Sequence, residues 1–100
     1  MSMTCIHDLK PNRVVPTVEG VVARSYPLSM QFAKNRWIAF REIVLEDDSG
    51  WVAVNVWGPS ALDVIRGQTI RLKNAYCFTK NERLYLTLSI PSRLKICTQA

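Results

Sequence analysis

The side chains able to do acid–base or covalent chemistry are few in this chain and stand apart. His7 is the single histidine and lies near the N-terminus, and no Ser-His, Cys-His or paired-carboxylate arrangement can be drawn from it. Asp47 and Asp48 are adjacent, but within Asp47-Asp48-Ser49-Gly50, where acidic side chains bond nearby amides and Gly is free to take positive φ. That reads as a hairpin tip, which lacks the cleft and perturbing neighbours a catalytic carboxylate needs. Cys5-Ile6-His7 offers two metal ligands where a structural zinc site uses four, and Cys77 and Cys97 are single. The glycines are isolated, so no phosphate-cradling loop is present. The expectation is a protein that binds rather than catalyses, without metal or cofactor.

Aromatic residues beside basic ones are the remaining chemistry. Single-stranded nucleic acid is held by stacking bases on aromatic rings while Lys and Arg follow the phosphates. Trp57 suits stacking, with Asn55 two residues earlier able to hydrogen-bond a base edge. Tyr76, Phe78 and Tyr85, continued by Thr87 and Ser89, form a second aromatic set flanking Lys80 and Arg83. Residues 24–41 hold Arg24, Lys34, Arg36 and Arg41 with no acid, and residues 69–95 hold Arg71, Lys73, Lys80, Arg83, Arg93 and Lys95 against Glu82 alone. The acids gather from Glu42 to Asp48. This separation of charge predicts a positive groove between two loops.

The elements that must position these residues are strands, because the apolar pattern alternates with period two wherever it is clear. Residues 14–24 are rich in β-branched side chains and read as a first strand, with Gly20 marking a bulge or sharp bend. Residues 25–36 carry Pro and polar residues without periodicity, as a long connection would. Residues 37–46 are a second strand, joined through Asp47-Asp48-Ser49-Gly50 to a third at 51–57. There Val52, Val54 and Val56 share one face and must meet the core, leaving Trp51, Ala53, Asn55 and Trp57 on the other. Trp57 either stacks ligand or closes the barrel end, and Trp51 either shares its face or covers the hairpin end. Phe40 falls on the outer side with Glu42 and Val44 in the absence of a bulge, which would reverse it.

Gly58-Pro59-Ser60 opens a short helix whose apolar side is Leu62, Val64 and Ile65, ended by Arg66-Gly67. Residues 69–78 are a fourth strand, Lys80-Asn81-Glu82-Arg83 a turn, and residues 84–89 a fifth strand stopped by Pro91. Its three leucines face the core. The fourth strand is apolar on both faces, which leaves Tyr76 and Phe78 open between platform and core. Five strands with a short helix between the third and fourth is the layout of a Greek-key OB-fold barrel, an all-β architecture. Met1 to Lys10 and Cys97 to Ala100 read as tails that fray, although Ile6 and Leu9 have the character to pack on the barrel.

Composition agrees. A chain of 100 residues, 48% apolar and 21% charged, supports one domain and one core, with about residues 4–96 in the barrel. No apolar run reaches the ~18 to 20 residues of a membrane span, and Met1 to Lys10 lacks the apolar stretch of a secretory signal. Three cysteines at wide spacing argue for a reducing compartment, nuclear in a eukaryote and otherwise cytoplasmic. Thirteen Lys and Arg against eight Asp and Glu give a net charge of +5, which asks for a polyanionic partner.

Ile6-His7-Asp8-Leu9-Lys10-Pro11, Leu45-Glu46-Asp47-Asp48-Ser49-Gly50 leading to Val54-Asn55-Val56-Trp57, Gly67-Gln68-Thr69-Ile70-Arg71-Leu72 and Ala75-Tyr76 form a pattern. It resembles the single-OB-fold DNA-binding subunits of SOSS complexes, and is similar to the DNA-binding domains of replication protein A and to archaeal single-stranded-DNA-binding proteins. The likeness spans about residues 4–96. The resemblance implies that Trp57 and Tyr76 stack on bases. It places Thr87 at the family's late aromatic of the fifth strand, with Tyr85 two residues earlier on the same face. Lys80 falls at the loop aromatic, exchanging stacking for phosphate contact, with Phe78 as substitute. Arg24, Lys34 and Arg36 match the basic loop between the first two strands.

The resulting expectation is a single-stranded DNA-binding protein of replication, repair or telomere protection, working with other protein subunits or by self-association and away from membranes. The alternatives are a protein-interaction subunit of a larger nucleic-acid-binding complex, and RNA binding by the same face, since the distinction rests on contacts to the 2′-hydroxyl.

Overall fold

The computed structural model describes residues 3–88 and 92–97. Its strands are β1 (Arg13–Ser25), β2 (Ser29–Ala33), β3 (Arg36–Asp47), β4 (Gly50–Trp57), β5 (Thr69–Lys80), β6 (Arg83–Thr87) and β7 (Arg93–Ile96), with one short helix, α1 (Ser60–Asp63), between β4 and β5. Hydrogen bonding runs in the order β1-β3-β4-β6-β5, and β1 pairs again with β5, so five strands close into a barrel. Among the described residues of the barrel strands, only the β4–β6 pairing is parallel. This is the all-β OB-fold layout expected from the strand pattern.

The core follows from period-two burial. Val52, Val54 and Val56 of β4 meet Leu45, Ile43 and Arg41 of β3 across an unbroken register, and the three valines are buried with Ile43 and Leu45. Val18, Val22, Ile70, Leu72, Leu86 and Leu88 complete the filling. Ala53 is buried too, although it lies on the outer face, because its short side chain is roofed by larger neighbours.

Several sequence expectations are corrected. The connection over residues 25–36 contains β2, which forms a hairpin with the start of β3 through the turn at Lys34 and Asn35, both at positive φ. Its residues are exposed, which is why no period-two burial signal marks it. The bulge in β1 falls between Val22 and Arg24 instead of at Gly20. Gly20 serves a close approach: a Cβ there would lie 2.6 Å from the Glu46 carbonyl oxygen. The helix ends at Asp63, so no helical stripe forms; Ala61 and Val64 are buried while Leu62 and Ile65 are exposed. From residue 3 to residue 10 the N-terminal segment packs on the barrel instead of fraying: Ile6–Asp8 is a turn of 3-10 helix, and Ile6 and Leu9 are buried, while Met1 and Ser2 lie outside the described residues. Residues 93–96 add β7 along β5. Ser89 and Pro91, expected in and after the last barrel strand, and the tail beyond Cys97 lie outside the described residues.

The decisive local event is in β5. Ile70 and Leu72 point inward, then Ala75 and Cys77 do, so the alternation slips by one at Asn74, whose φ is 59°. Pro16 stands opposite, unpaired in the register between Val15↔Ala75 and Thr17↔Lys73, since proline has no N–H to give. The slip turns Tyr76 and Phe78 outward.

Candidate nucleic-acid interface

Strand pairing assembles the aromatic residues on one outer face, because residues directly opposite in neighbouring strands project to the same side. One rung is Phe40↔Trp57, from β3 and β4. The next is Glu42↔Asn55↔Thr87↔Tyr76, which crosses β3, β4, β6 and β5. A third is Arg24↔Val44↔Ala53↔Tyr85↔Phe78, running from β1 to β5. Beyond it Glu46 pairs with Trp51, and Lys80 with Arg83.

The rings are held by one another. Phe40 and Trp57 lie 4.5 Å apart between centroids at 53°, and Phe78 and Tyr85 stack at 5.6 Å and 18°. Trp57 keeps 36% of its surface exposed and Tyr76 37%. Trp57 therefore packs against Phe40 and leaves about a third of its surface to solvent. The unbroken β3–β4 register settles Phe40 on the outer side. Trp51 is capped by Arg83, whose guanidinium carbon sits 5.7 Å from the ring centroid. Asn55 and Thr87 lie between Trp57 and Tyr76, half-buried, where a hydrogen-bonding group would meet a base edge.

The basic residues divide by place. Arg24, Lys80 and Arg83 are exposed on or beside the aromatic face, and Lys34 and Arg36 are exposed at the tip of the β2–β3 hairpin. Arg41 does not join them. It sits on the inner side of β3, where its Nε donates to the Ala61 carbonyl at 2.7 Å and its Nη1 donates to the Tyr26 carbonyl at 3.0 Å and to Ser25 Oγ at 3.3 Å. Ser25 Oγ in turn donates to the Val64 carbonyl at 3.0 Å, so Arg41 ties α1 to the barrel end. The odd position of Arg41, level with Ile43 and Leu45, carried that information in the sequence.

The acids at the hairpin tip are structural. Asp47 Oδ2 accepts the Ile6 amide at 2.9 Å, and Oδ1 accepts the Ser49 amide at 2.7 Å, the Ser49 hydroxyl at 2.6 Å and the Gly50 amide at 3.1 Å. Partial burial pushes its carboxyl up, but the bonds from the Ser49 side chain and from the amides of Ile6, Ser49 and Gly50 outweigh this and hold its pKa below the ordinary carboxylate value.

Two aromatic residues escaped the sequence reading. Phe32 and Trp37 face each other across the β2–β3 hairpin, centroids 5.3 Å apart in a T-shaped contact, with 61% and 65% of their surfaces exposed. They lie on the opposite side of the hairpin from Ile38 and Phe40, together with exposed Met30. Exposed rings flanking Lys34 and Arg36 were the available signal.

A barrel of five strands, closed by β1 on β5 and plugged at one end by a short helix, with aromatics gathered on β3, β4, β5 and β6, defines an OB-fold domain. No family model matches the sequence, and no curated protein matches it. Solved structures do share the fold. The second OB-fold domain of replication protein A from Methanococcus maripaludis matches with a TM-score of 0.82 at 20% identity, over 99% of this chain and 98% of that one. The OB domain of a Thermoplasma acidophilum protein matches at 0.80 and 17% identity, over 98% and 89% of the two chains. A chain of a replication protein A heterotrimer bound to single-stranded DNA matches at 0.73 and 13% identity, over 96% of this chain and 25% of that one.

Proposed function

We propose that this protein is a non-catalytic single-stranded DNA-binding domain of genome maintenance, acting in replication, repair or telomere protection. One observation carries the reading: Trp57, Tyr76, Phe78 and Tyr85, from three strands, share one outer face with Asn55 and Thr87 between them. Bases stack on Trp57 and Tyr76, Asn55 and Thr87 bond base edges, and Arg24, Lys34, Arg36, Lys80 and Arg83 follow the phosphates. The fold likeness to replication protein A domains, one of them in a heterotrimer bound to single-stranded DNA, supports it. So does the net charge of +5. One OB domain covers on the order of 4 to 16 nucleotides, so high affinity comes from further subunits or self-association. The compartment is the nucleus in a eukaryote and otherwise the cytoplasm.

Contacting about four phosphates gives a log–log salt slope near −3. The test is fluorescence anisotropy with labelled oligo-dT and oligo-U of about 20 nucleotides, with tryptophan quenching followed in parallel. Salt-sensitive binding of oligo-dT at micromolar protein that Trp57→Ala weakens supports the reading. Absence of both signals at micromolar protein in low salt overturns it, and preference for oligo-U reassigns the face to RNA.

A protein-interaction role has its own observation in the exposed Met30, Phe32 and Trp37. These residues lie off the Trp57 face, so a partner seated on them would leave Trp57, Tyr76, Phe78 and Tyr85 uncovered.

A further inference from the structure

β7 brings a second basic surface into being, farther along β5 from the aromatic face. It pairs with β5 so that Lys73 stands opposite Arg93 and Arg71 opposite Lys95. Like charges directly opposite in a sheet repel, and here two such pairs follow one another. Two of the four cations have partners of their own: Arg71 donates to Glu19 Oε1 at 2.9 Å from Nη2 and 3.0 Å from Nε, and Arg93 Nη1 donates to the Ser92 carbonyl at 3.1 Å. The four cations line a shallow cleft of about 250 Å³. A sheet that carries stacked like-charged pairs around a cleft is electrostatically prepared for an anion with regularly spaced charges.

The cleft continues the aromatic face. β6 and β7 lie along the same edge of β5, β6 meeting it at Tyr76–Lys80 and β7 at Ile70–Lys73. Lys73 is three residues from Tyr76, about 10 Å along the strand. Both project outward, because the slip at Asn74 keeps Tyr76 outside on one side of it and Lys73 outside on the other. Along each strand the cations stand at alternate positions, about 6.6 Å apart, comparable to successive phosphates of an extended single strand.

We propose that the strand leaving the aromatic face at Tyr76 continues over the β5–β7 cleft, its phosphates held by Lys73 and Arg93 and then by Arg71 and Lys95. This rests on the reading of the Trp57 face as a single-stranded DNA site, and it sets the length of strand covered: the short site is the aromatic face, the long site adds the cleft.

The test compares the double variant Lys73→Gln/Lys95→Gln with wild type on oligo-dT of about 6 and about 20 nucleotides, measuring anisotropy against salt. Wild type should show a steeper salt slope on the long oligonucleotide than on the short one. The variant should lose about 1.4 of the long-oligonucleotide slope, about 0.7 for each phosphate contact removed, and keep the short-oligonucleotide affinity and Trp57 quenching unchanged. An unchanged long-oligonucleotide slope overturns the track, and so does an equal loss on both lengths, which is a bulk charge effect. Poly-glutamate binding abolished by the variant, with the long-oligonucleotide slope intact, assigns the cleft to an acidic peptide and likewise overturns the track. Failure of wild type to bind either oligonucleotide or to quench Trp57 is a different result, and removes the single-stranded DNA reading itself.

Discussion

Phe40 supports Trp57: the two rings, directly opposite in β3 and β4, lie 4.5 Å apart at 53°, so the outermost stacking residue of the face is braced from the neighbouring strand. Removing the Trp57 ring should cost roughly 1 to 3 kcal/mol of binding per stacked base. Phe40→Ala should produce a smaller loss, because Trp57 remains but is free to rotate. Titration with oligo-dT checks both, and circular dichroism should show the Trp57→Ala barrel intact, since the buried valines of β4 are untouched. Equal binding by Trp57→Ala and wild type would remove this residue from the interface.

Arg41 and Arg24 should separate stability from binding. Arg41→Ala strips the Ala61 and Tyr26 carbonyls of a charged donor and frees α1 from the barrel end. A loss of about 2 to 3 kcal/mol in urea unfolding is expected, in line with hydrogen bonds to charged groups. Arg24→Ala, exposed beside Val44, should leave the urea midpoint in place and lower DNA affinity with a shallower salt dependence.

Asp47 should make stability depend on acidity. Its folded pKa is depressed below its unfolded value, so its contribution is fully present above the unfolded value near ~3.9 and is lost as pH falls through the lower folded one. Asp47→Ala should lower stability at neutral pH by about 1 to 2 kcal/mol, release the Ile6 amide, and flatten the acid limb of the unfolding curve. Thermal melts of both proteins from neutral pH into the acid range measure this.

Gly20→Ala should destabilise the barrel by roughly 1 to 3 kcal/mol, because the added Cβ would meet the Glu46 carbonyl oxygen at 2.6 Å and the backbone of β3 must yield. Gly20 and Glu46 lie where β1 passes from β5 to β3, with Val21 paired to both Thr69 and Glu46. A melting temperature within a degree or so of wild type would show that the crossing has slack.

The thiols should react in order of exposure. Cys77 is fully buried, and burial pushes its pKa up despite the opposing charge of Arg13, whereas Cys5 is exposed. A disulfide reagent at neutral pH should modify Cys5 at once and Cys77 only on unfolding, because the thiolate is the reactive form.

The sequence by itself determined the interior and its chemistry. Three valines alternating through β4, three leucines through the last barrel strand and an acidic turn closed by Gly50 leave one way to bury the apolar faces, since a strand's side chains alternate and a one-residue slip would expose them all. The same arithmetic assigned Trp57 and Asn55 to the outside. Tertiary structure decided the rest. β5 is apolar on both faces, and the positive φ of Asn74, opposite Pro16 in an unshifted register, sends Tyr76 and Phe78 outward. β2 has no buried face, and β7 takes its place through long-range pairing with β5, so neither carries a local period-two signal. Arg41 is basic in composition but interior in register, and its charge is spent on backbone carbonyls. Local alternation fixes which way a side chain points until the backbone leaves the regular strand, and which strand lies beside it is a choice made only by the closed barrel.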